Sequence, residues 1–113
     1  MKIALALDGD NLSAHFGHCE KFLICDIENQ QITTREIVDN PCHYPSEIPE
    51  FLKDKGVIEV IVGGIGGGAI DMLKEVGIDS IRVEVVEVGE ILRDYVSGKI
   101  EDLGSKCDGK FRD

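Results

Sequence analysis

The stretch VIEVIVGGIGGG, residues 57–68, decides the fold because it joins a buried strand directly to a glycine-rich turn. Its first six residues are β-branched apart from one glutamate, which is typical of a strand buried on both faces of a sheet. The glycines lead into a segment with helical spacing from about 69 to 76, and Gly77 is a natural end for that helix. A further strand predicted at 80–83 completes a βαβ unit with parallel strands.

Three more strand patterns precede this unit. Residues 2–7 form an apolar run that ends in turn-forming residues. Residues 21–27 and 31–38 are separated by only a short polar turn, which predicts an antiparallel hairpin. The sheet is therefore expected to contain about five strands of mixed direction.

Two further helices are predicted, one from about 46 to 55 and one from about 86 to 97. Gly56 and Gly98 follow them as end signals. With no internal repeat and no linker, the sequence predicts an α/β fold with three layers, α/β/α, in which helices cover both faces of the sheet.

This strand order brings three irregular loops to one edge of the sheet. If the second strand runs antiparallel between the first and the third, then the first, third and fourth strands point the same way. The loops that follow them, residues 8–20, 39–46 and 63–68, then meet at the carboxyl edge, where open α/β sheets bind ligands. We expect the cleft between the first and fourth strands.

The composition indicates one folded, acidic domain. The chain has 113 residues, of which 42% are hydrophobic, enough for one modest core. We assign residues 1–100 to a single α/β domain and residues 101–113 to a polar carboxyl-terminal tail. The formal net charge of −10 opposes nucleic-acid binding, and no apolar run resembles a membrane span or a secretion signal. We expect a cytoplasmic protein with reduced cysteines and no membrane partner.

Cysteine and histidine are concentrated in the first two loops and recur in the tail. Thiolate and imidazole are the ligands preferred by iron, zinc and iron–sulfur centres, and loops allow such side chains to converge. The candidate metal ligands are His15, Cys19, Cys42, His43 and Cys107.

Structural roles compete with metal binding at several positions. The sequence has no C-x-x-C pair, so neither a zinc ribbon nor a ferredoxin spacing is indicated. Cys25 lies in the middle of a predicted strand and is interpreted as a small buried hydrophobe, and His18 as a solvated side chain. His15 could instead brace its loop by hydrogen bonding.

The glycine-rich turn predicts an anion site. Gly63, Gly64 and Gly66 precede a helix, whose first turn leaves backbone N–H groups without acceptors. The stretch from Gly64 to Ala69 also fits G-x-G-x-x-A, with Glu84 beyond the next strand, so a nucleotide-binding enzyme or sensor is an alternative. No Lys-Ser or Lys-Thr follows the glycines, which excludes a P-loop, and close packing alone could require them.

Hydrolytic chemistry has little support. Asp8 and Asp26 are the acids placed to suggest a two-metal nuclease, but the acidic charge balance opposes it and Asp8 most simply ends a strand. No Ser-His-Asp or Cys-His pattern indicates a hydrolase. We therefore predict no catalytic residues.

Several motifs taken together resemble those of a known family. They are the M-K-I-A strand ending in Asp8-Gly9, His15-Phe16-Gly17 leading to Phe22-Leu23-Ile24, Asn40-Pro41, Lys55-Gly56-Val57, Val60-Ile61-Val62-Gly63-Gly64-Ile65-Gly66, and Gly77-Ile78. Over about residues 1–100 this pattern resembles the dinitrogenase iron–molybdenum cofactor biosynthesis family. That family includes small stand-alone proteins and the carboxyl-terminal domain of a larger cofactor-assembly enzyme.

The resemblance implies both a fold and a function. It implies a ribonuclease H-like α/β/α fold, and nitrogen-fixation members that carry or store the iron–molybdenum cofactor or its iron–sulfur precursor without catalysis. His15 and the loop from Gly63 to Gly66 would be the shared site. We therefore predict a non-enzymatic carrier of an iron–sulfur or iron–molybdenum-type cluster, with a cofactor-assembly protein as a candidate partner. A ligand-free protein-interaction domain is the remaining alternative.

Overall fold

The computed structural model describes residues 1–42, 44–84 and 87–98. Two short 3-10 helices, Phe16–His18 and Pro45–Glu47, lie among its regular elements. In chain order the strands and helices are β1 (Lys2–Asp8), β2 (Asn11–Leu12), β3 (Lys21–Glu28), β4 (Gln31–Asp39), α1 (Ile48–Asp54), β5 (Val57–Val62), α2 (Gly67–Glu75), β6 (Asp79–Arg82) and α3 (Val88–Val96).

The strands form one mixed sheet in the order β4-β3-β1-β5-β6, with β2 paired to β1. β3 lies antiparallel between β1 and β4, whereas β1, β5 and β6 are parallel. This confirms the predicted hairpin and βαβ unit. β1 and β5 are neighbours whose onward connections leave in opposite directions, so the predicted reversal of strand order lies between them.

Helices cover both faces of this sheet. On one face α1 and α2 bury Leu52 and Leu73 in a core with Val60. On the other face α3 buries Leu92 in a second core with Ile61. Neighbouring strand residues alternate between the two cores, as the pleat requires. The three-layer α/β/α prediction is confirmed.

Element boundaries differ from the predictions at several places. The sheet has a sixth strand because β2 pairs with β1, although its two residues are too few to produce an alternating pattern. The 3-10 helix Pro45–Glu47 replaces the first turn of the predicted helix at 46–55. α2 begins at Gly67, two residues earlier than predicted, because the Gly66 carbonyl already accepts the Ile70 N–H over 3.1 Å.

The remaining comparisons concern the carboxyl-terminal part. α3 begins at Val88, and residue 86 of its predicted start lies outside the described residues. The predicted tail, residues 101–113, lies outside them as well. Within the described ranges, no helix is long and apolar enough to cross a bilayer.

Candidate functional site

The loop between β1 and β3, residues 9–20 and here called the histidine loop, is anchored by a buried serine. Ser13 is fully buried, and its N–H donates to the Ala6 carbonyl over 2.7 Å. Its hydroxyl lies 2.8 Å from Asp8 Oδ2 and also accepts the His15 N–H at 3.1 Å. Asp8 Oδ1 accepts the N–H of Glu20 at the far end of the loop. Asp8 therefore holds both ends of this loop together.

The histidine loop crosses the turn after β5, residues 63–66 and here called the glycine turn. The N–H of Gly63 donates to the Ser13 carbonyl, and the N–H of Phe16 donates to the Gly64 carbonyl, both over 2.9 Å. A Cβ at Gly64 would lie only 2.1 Å from the Ala14 carbonyl oxygen. The approach of the two backbones therefore requires glycine at this position.

Aromatic packing fixes the histidine loop from beneath. Phe16 is 2% exposed, and its ring meets that of Phe22 on β3 edge to face, with centroids 6.1 Å apart. Because Phe16 is buried, the residues on either side of it turn outward. His15 and His18 are accordingly exposed on the outer side of the loop.

The histidine loop and the glycine turn form the walls of a cleft of roughly 440 Å³. The cleft lies beyond the carboxyl ends of β1 and β5, where the sequence analysis places it. Its lining residues are Ala14, His15, Phe16, Gly17, His18, Gly64, Ile65, Gly66 and Ala69. His15 and His18 are the titratable side chains among them.

The amino terminus of α2 borders the cleft, which is lined there by Gly66 and Ala69. Its first turn, Gly67 to Ala69, contains no acidic residue, and these N–H groups donate to no acceptor among the described residues. Unpaired N–H groups and the helix dipole both favour an anion at this position. The cleft can thus offer imidazole nitrogens and backbone donors to one ligand.

Cys19 and Cys42 lie behind the histidine loop and do not line the cleft. The Asn40 side chain links them, since its Nδ2 donates to the Cys19 carbonyl over 3.0 Å and its Oδ1 accepts the Cys42 N–H over 3.1 Å. Burial, and then the Asp8 carboxylate, raise the pKa of Cys19 to about 12. Burial and Glu47 also raise the pKa of Cys42. These raised pKa values disfavour the thiolate, which is the form that binds metals.

The other predicted ligands lie elsewhere. Cys25 is fully buried in the α3 core, as its position in the strand predicts. His43 and Cys107 lie outside the described residues. Among the residues that the structure describes, no group of three or more His, Cys, Asp or Glu side chains is close enough to hold a metal ion. Ligation by the cysteines thus stays a prediction.

Asp8 and Asp26 do not form a two-metal site. Asp8 ends β1, whereas Asp26 pairs with Lys2 at the opposite end of that strand. Asp26 instead forms an ion pair with the amino-terminal ammonium group of Met1 at 3.2 Å. The separation of these acids removes the structural basis for the nuclease alternative.

Two residues of the site were missed by sequence reasoning. His18 lines the cleft with His15, and its N–H donates to the His15 carbonyl across the 3-10 turn. The H-x-x-H spacing is a signal for this pairing because one 3-10 turn places residues three apart on one side. Ser13 carries no comparable signal, since its role depends on tertiary contacts with Ala6 and Asp8.

Together, the fold and cleft define a small α/β domain with an anion-favouring site at the strand-order reversal of its sheet. Residues 1–98 match the family described as "Dinitrogenase iron-molybdenum cofactor". The chain belongs to this family.

Relatives and solved structures agree with this assignment. An uncharacterized protein of Methanocaldococcus jannaschii is 36% identical over 106 residues, which cover 89% of this chain and 90% of that protein. The crystal structure of PH0822 is 28% identical with a TM-score of 0.85, covering 91% of this chain and 95% of that one. The NMR structure of a Thermotoga protein provisionally described as NifB is 26% identical with a TM-score of 0.72, covering 90% and 92%. The similarity thus spans nearly the whole domain.

Proposed function

We propose that the protein is a non-catalytic carrier that binds an iron–sulfur or iron–molybdenum-type cluster in the cleft. The observation that carries this proposal is that two histidines line a cleft bordered by Gly66 and Ala69 at the start of α2, a helix whose first-turn N–H groups donate to no acceptor among the described residues. An imidazole binds a metal of the cluster, and backbone N–H groups donate to its sulfides. Membership of the family supports this class of cargo.

The chemical character of the cleft favours a carrier over an enzyme. Apart from the two histidines, its lining residues have only apolar side chains or none. A general acid–base enzyme usually pairs a titratable group with a second group that orients it, and the lining offers no carboxylate for this task. A carrier instead needs few ligands, because a cluster held on every side could not be handed to a cofactor-assembly protein.

We assign the first ligand to His15, supported by the glycine turn with Gly63, Gly64 and Gly66, and His18 is a second imidazole on the same wall. Neither Cys19 nor Cys42 lines the cleft, and burial raises the pKa of both thiols, so they contribute only if the histidine loop moves. His43 and Cys107 complete the set of candidate ligands.

Anaerobic reconstitution of the full chain with iron and sulfide tests the proposal. We expect cluster absorbance and iron in stoichiometric amounts. His15→Ala should lower the affinity by at least about tenfold, because loss of even an outer-shell partner of a metal ligand costs about 10–100-fold. His18→Ala measures whether the second imidazole participates. A wild-type protein that takes up no cluster when iron–sulfur or iron–molybdenum cluster donors are supplied anaerobically contradicts the proposal.

Cysteine variants separate the assignment of the cleft from that of the thiols. Cys19→Ala and Cys42→Ala should retain the cluster if the cleft is the site, and Cys25→Ala is the matched control in the opposite core. Cluster binding that survives His15→Ala but fails in Cys19→Ala would move the site behind the loop. Calorimetry with NAD and ATP tests the nucleotide alternative, for which metal-independent micromolar binding is the expected sign.

A further inference from the structure

Among the residues that the structure describes, β4 is an edge strand, and none of them pairs with its outer side. It is nine residues long and lies at the end of the sheet, paired to β3 on one side only. Most of its residues are exposed, and Ile37 is 63% exposed. Such an edge presents a row of unpaired backbone N–H and C=O groups that a further strand can use.

The β3–β4 register identifies which residues of β4 direct these groups outward. Lys21 pairs with Asp39, and the Asn40 N–H donates to the Glu20 carbonyl one step further along, over 3.0 Å. Bonded and non-bonded pairs alternate in an antiparallel ladder. Even-numbered residues of this part of β4 therefore bond to β3. Residues 35, 37 and 39 direct their N–H and C=O groups to the free side.

The side chains of these three residues share one face of the sheet. Arg35, Ile37 and Asp39 lie on the face that carries α3, because they oppose β3 residues of that face such as Leu23. Arg35 and Asp39 form no ion pair with any residue in the described part of the chain. They are four residues apart on one strand, about 13 Å, which is too far for them to pair with each other.

A second copy of the chain fits this edge in one register. A twofold axis perpendicular to the sheet leaves every side chain on its original face. Directly opposed residues of an antiparallel pair share a face, so one residue must lie opposite its own copy at the axis. Axes at Arg35 or Glu36 would place like charges directly opposite each other. When the axis is placed at each residue from 33 to 39 in turn, only the axis at Ile37 brings residues of opposite charge to face each other.

We propose that two copies of the protein pair their β4 strands antiparallel about a twofold axis at Ile37. Arg35 of each copy then faces Asp39 of the other, which gives two symmetric salt bridges around a central contact between the two Ile37 side chains. The outward groups of residues 35, 37 and 39 supply six backbone hydrogen bonds. The β-bulge in β4 at Thr33 lies beyond this paired segment and leaves it straight.

Charge exchange tests this pairing sharply. Arg35→Asp and Asp39→Arg each place two like-charged pairs across the axis, so each variant alone should show a dissociation constant raised by about tenfold or more. Mixing the two variants restores both opposite-charge pairs and should restore the dimer. The double variant Arg35→Asp/Asp39→Arg should also dimerise. Sedimentation equilibrium at protein concentrations from about 1 μM to about 1 mM measures the dissociation constant of the two single variants, their mixture and the double variant.

A second pair of variants tests the centre of the interface. Ile37→Lys places two lysines at the axis and should abolish the dimer, whereas Ile58→Lys, at an exposed isoleucine of β5, should leave it intact. Circular dichroism verifies that each variant is folded. A wild-type protein that stays monomeric throughout this range overturns the proposal. A dimer that the charge exchanges do not affect also overturns it, because the interface would then lie elsewhere.

Discussion

Gly64 lies where the histidine loop crosses the glycine turn, and this crossing leaves no room for a side chain. A Cβ would approach the Ala14 carbonyl oxygen to 2.1 Å, and the hydrogen bond from Phe16 to Gly64 is made at the same place. Gly64→Ala should therefore lower the free energy of unfolding by about 2–3 kcal/mol, because the loop must move away. Urea denaturation followed by circular dichroism measures the loss.

Gly68→Ala is the matched control, since it makes the same substitution in the first turn of α2 where a Cβ meets nothing within 4 Å. Alanine favours the helix over glycine, so this variant should be neutral or more stable by about 0.5 kcal/mol. Similar losses in both variants would mean that the loop crossing does not determine the effect.

Some residues of the candidate site can be predicted from sequence and others cannot. His15 and the glycines were placed together because they follow β1 and β5, and the ends of neighbouring parallel strands meet at one edge. The role of Cys19 is harder to predict, because a thiol can act either as a metal ligand or as a small hydrophobic side chain. The orientation of the Cys19 side chain depends on Phe16, Asn40 and the core beneath the loop. No spacing in the sequence indicates those contacts.

Among the elements, α3 is attached to the sheet by a polar contact as well as by its apolar face. The Tyr95 hydroxyl donates to Glu59 Oε1 on β5 over 2.5 Å, in a partly buried position. Tyr95→Phe removes the hydroxyl and leaves the Glu59 carboxylate without this donor. The substitution should therefore lower the free energy of unfolding by about 1–2 kcal/mol. Thermal and urea unfolding of both proteins at pH 7 measure the difference, and Tyr44→Phe, at a tyrosine that is 67% exposed, should have no effect.

The contribution of this contact depends on pH in a defined direction. Burial, and then the hydrogen bond and charge of Glu59, raise the pKa of Tyr95 well above its ordinary value. The contribution is therefore complete below the unfolded-state pKa of about 10 and is lost as the pH rises through the folded-state pKa. Unfolding curves between pH 8 and pH 11 should show the advantage of wild type over Tyr95→Phe shrinking above about pH 10. A constant difference across that range would contradict the assignment.

Element prediction succeeded where the signal was local and failed where it was tertiary. β5 and α2 follow from a β-branched run, a glycine turn and a terminal glycine, all adjacent in sequence. β2 was missed because two residues form a strand only when β1 offers a partner. Glycine is intrinsically unfavourable in helices, and the early start of α2 reflects the anchoring of the glycine turn by the histidine loop.

For the whole molecule, strand order was predictable because few topologies satisfy a hairpin followed by a βαβ unit. The sheet places β1 beside β5, and this single adjacency creates the cleft. The predicted order already puts β4 at one edge, but the residues that direct their backbone groups outward are known only from the β3–β4 register. That register underlies the proposed dimer.

The strongly negative charge of the molecule should act on its stability as a whole. The formal net charge of −10 creates self-repulsion in the folded state that the expanded unfolded chain relieves. Raising the salt concentration from 0.01 to 0.15 M shortens the Debye length from about 30 Å to about 8 Å. The free energy of unfolding should then rise on the order of 1 kcal/mol, measured by urea denaturation at a protein concentration low enough to keep the chain monomeric.

A charge variant distinguishes self-repulsion from specific salt binding. Glu75→Lys, at an exposed position at the end of α2, changes the formal net charge from −10 to −8, because one negative charge is lost and one positive charge is added. It should stabilise the protein at low salt, since it reduces repulsion and places a cation at a helix carboxyl terminus. Its gain from added salt should be smaller than that of wild type. An equal gain in both proteins, or a loss of stability on adding salt, would show that net repulsion is not the controlling force.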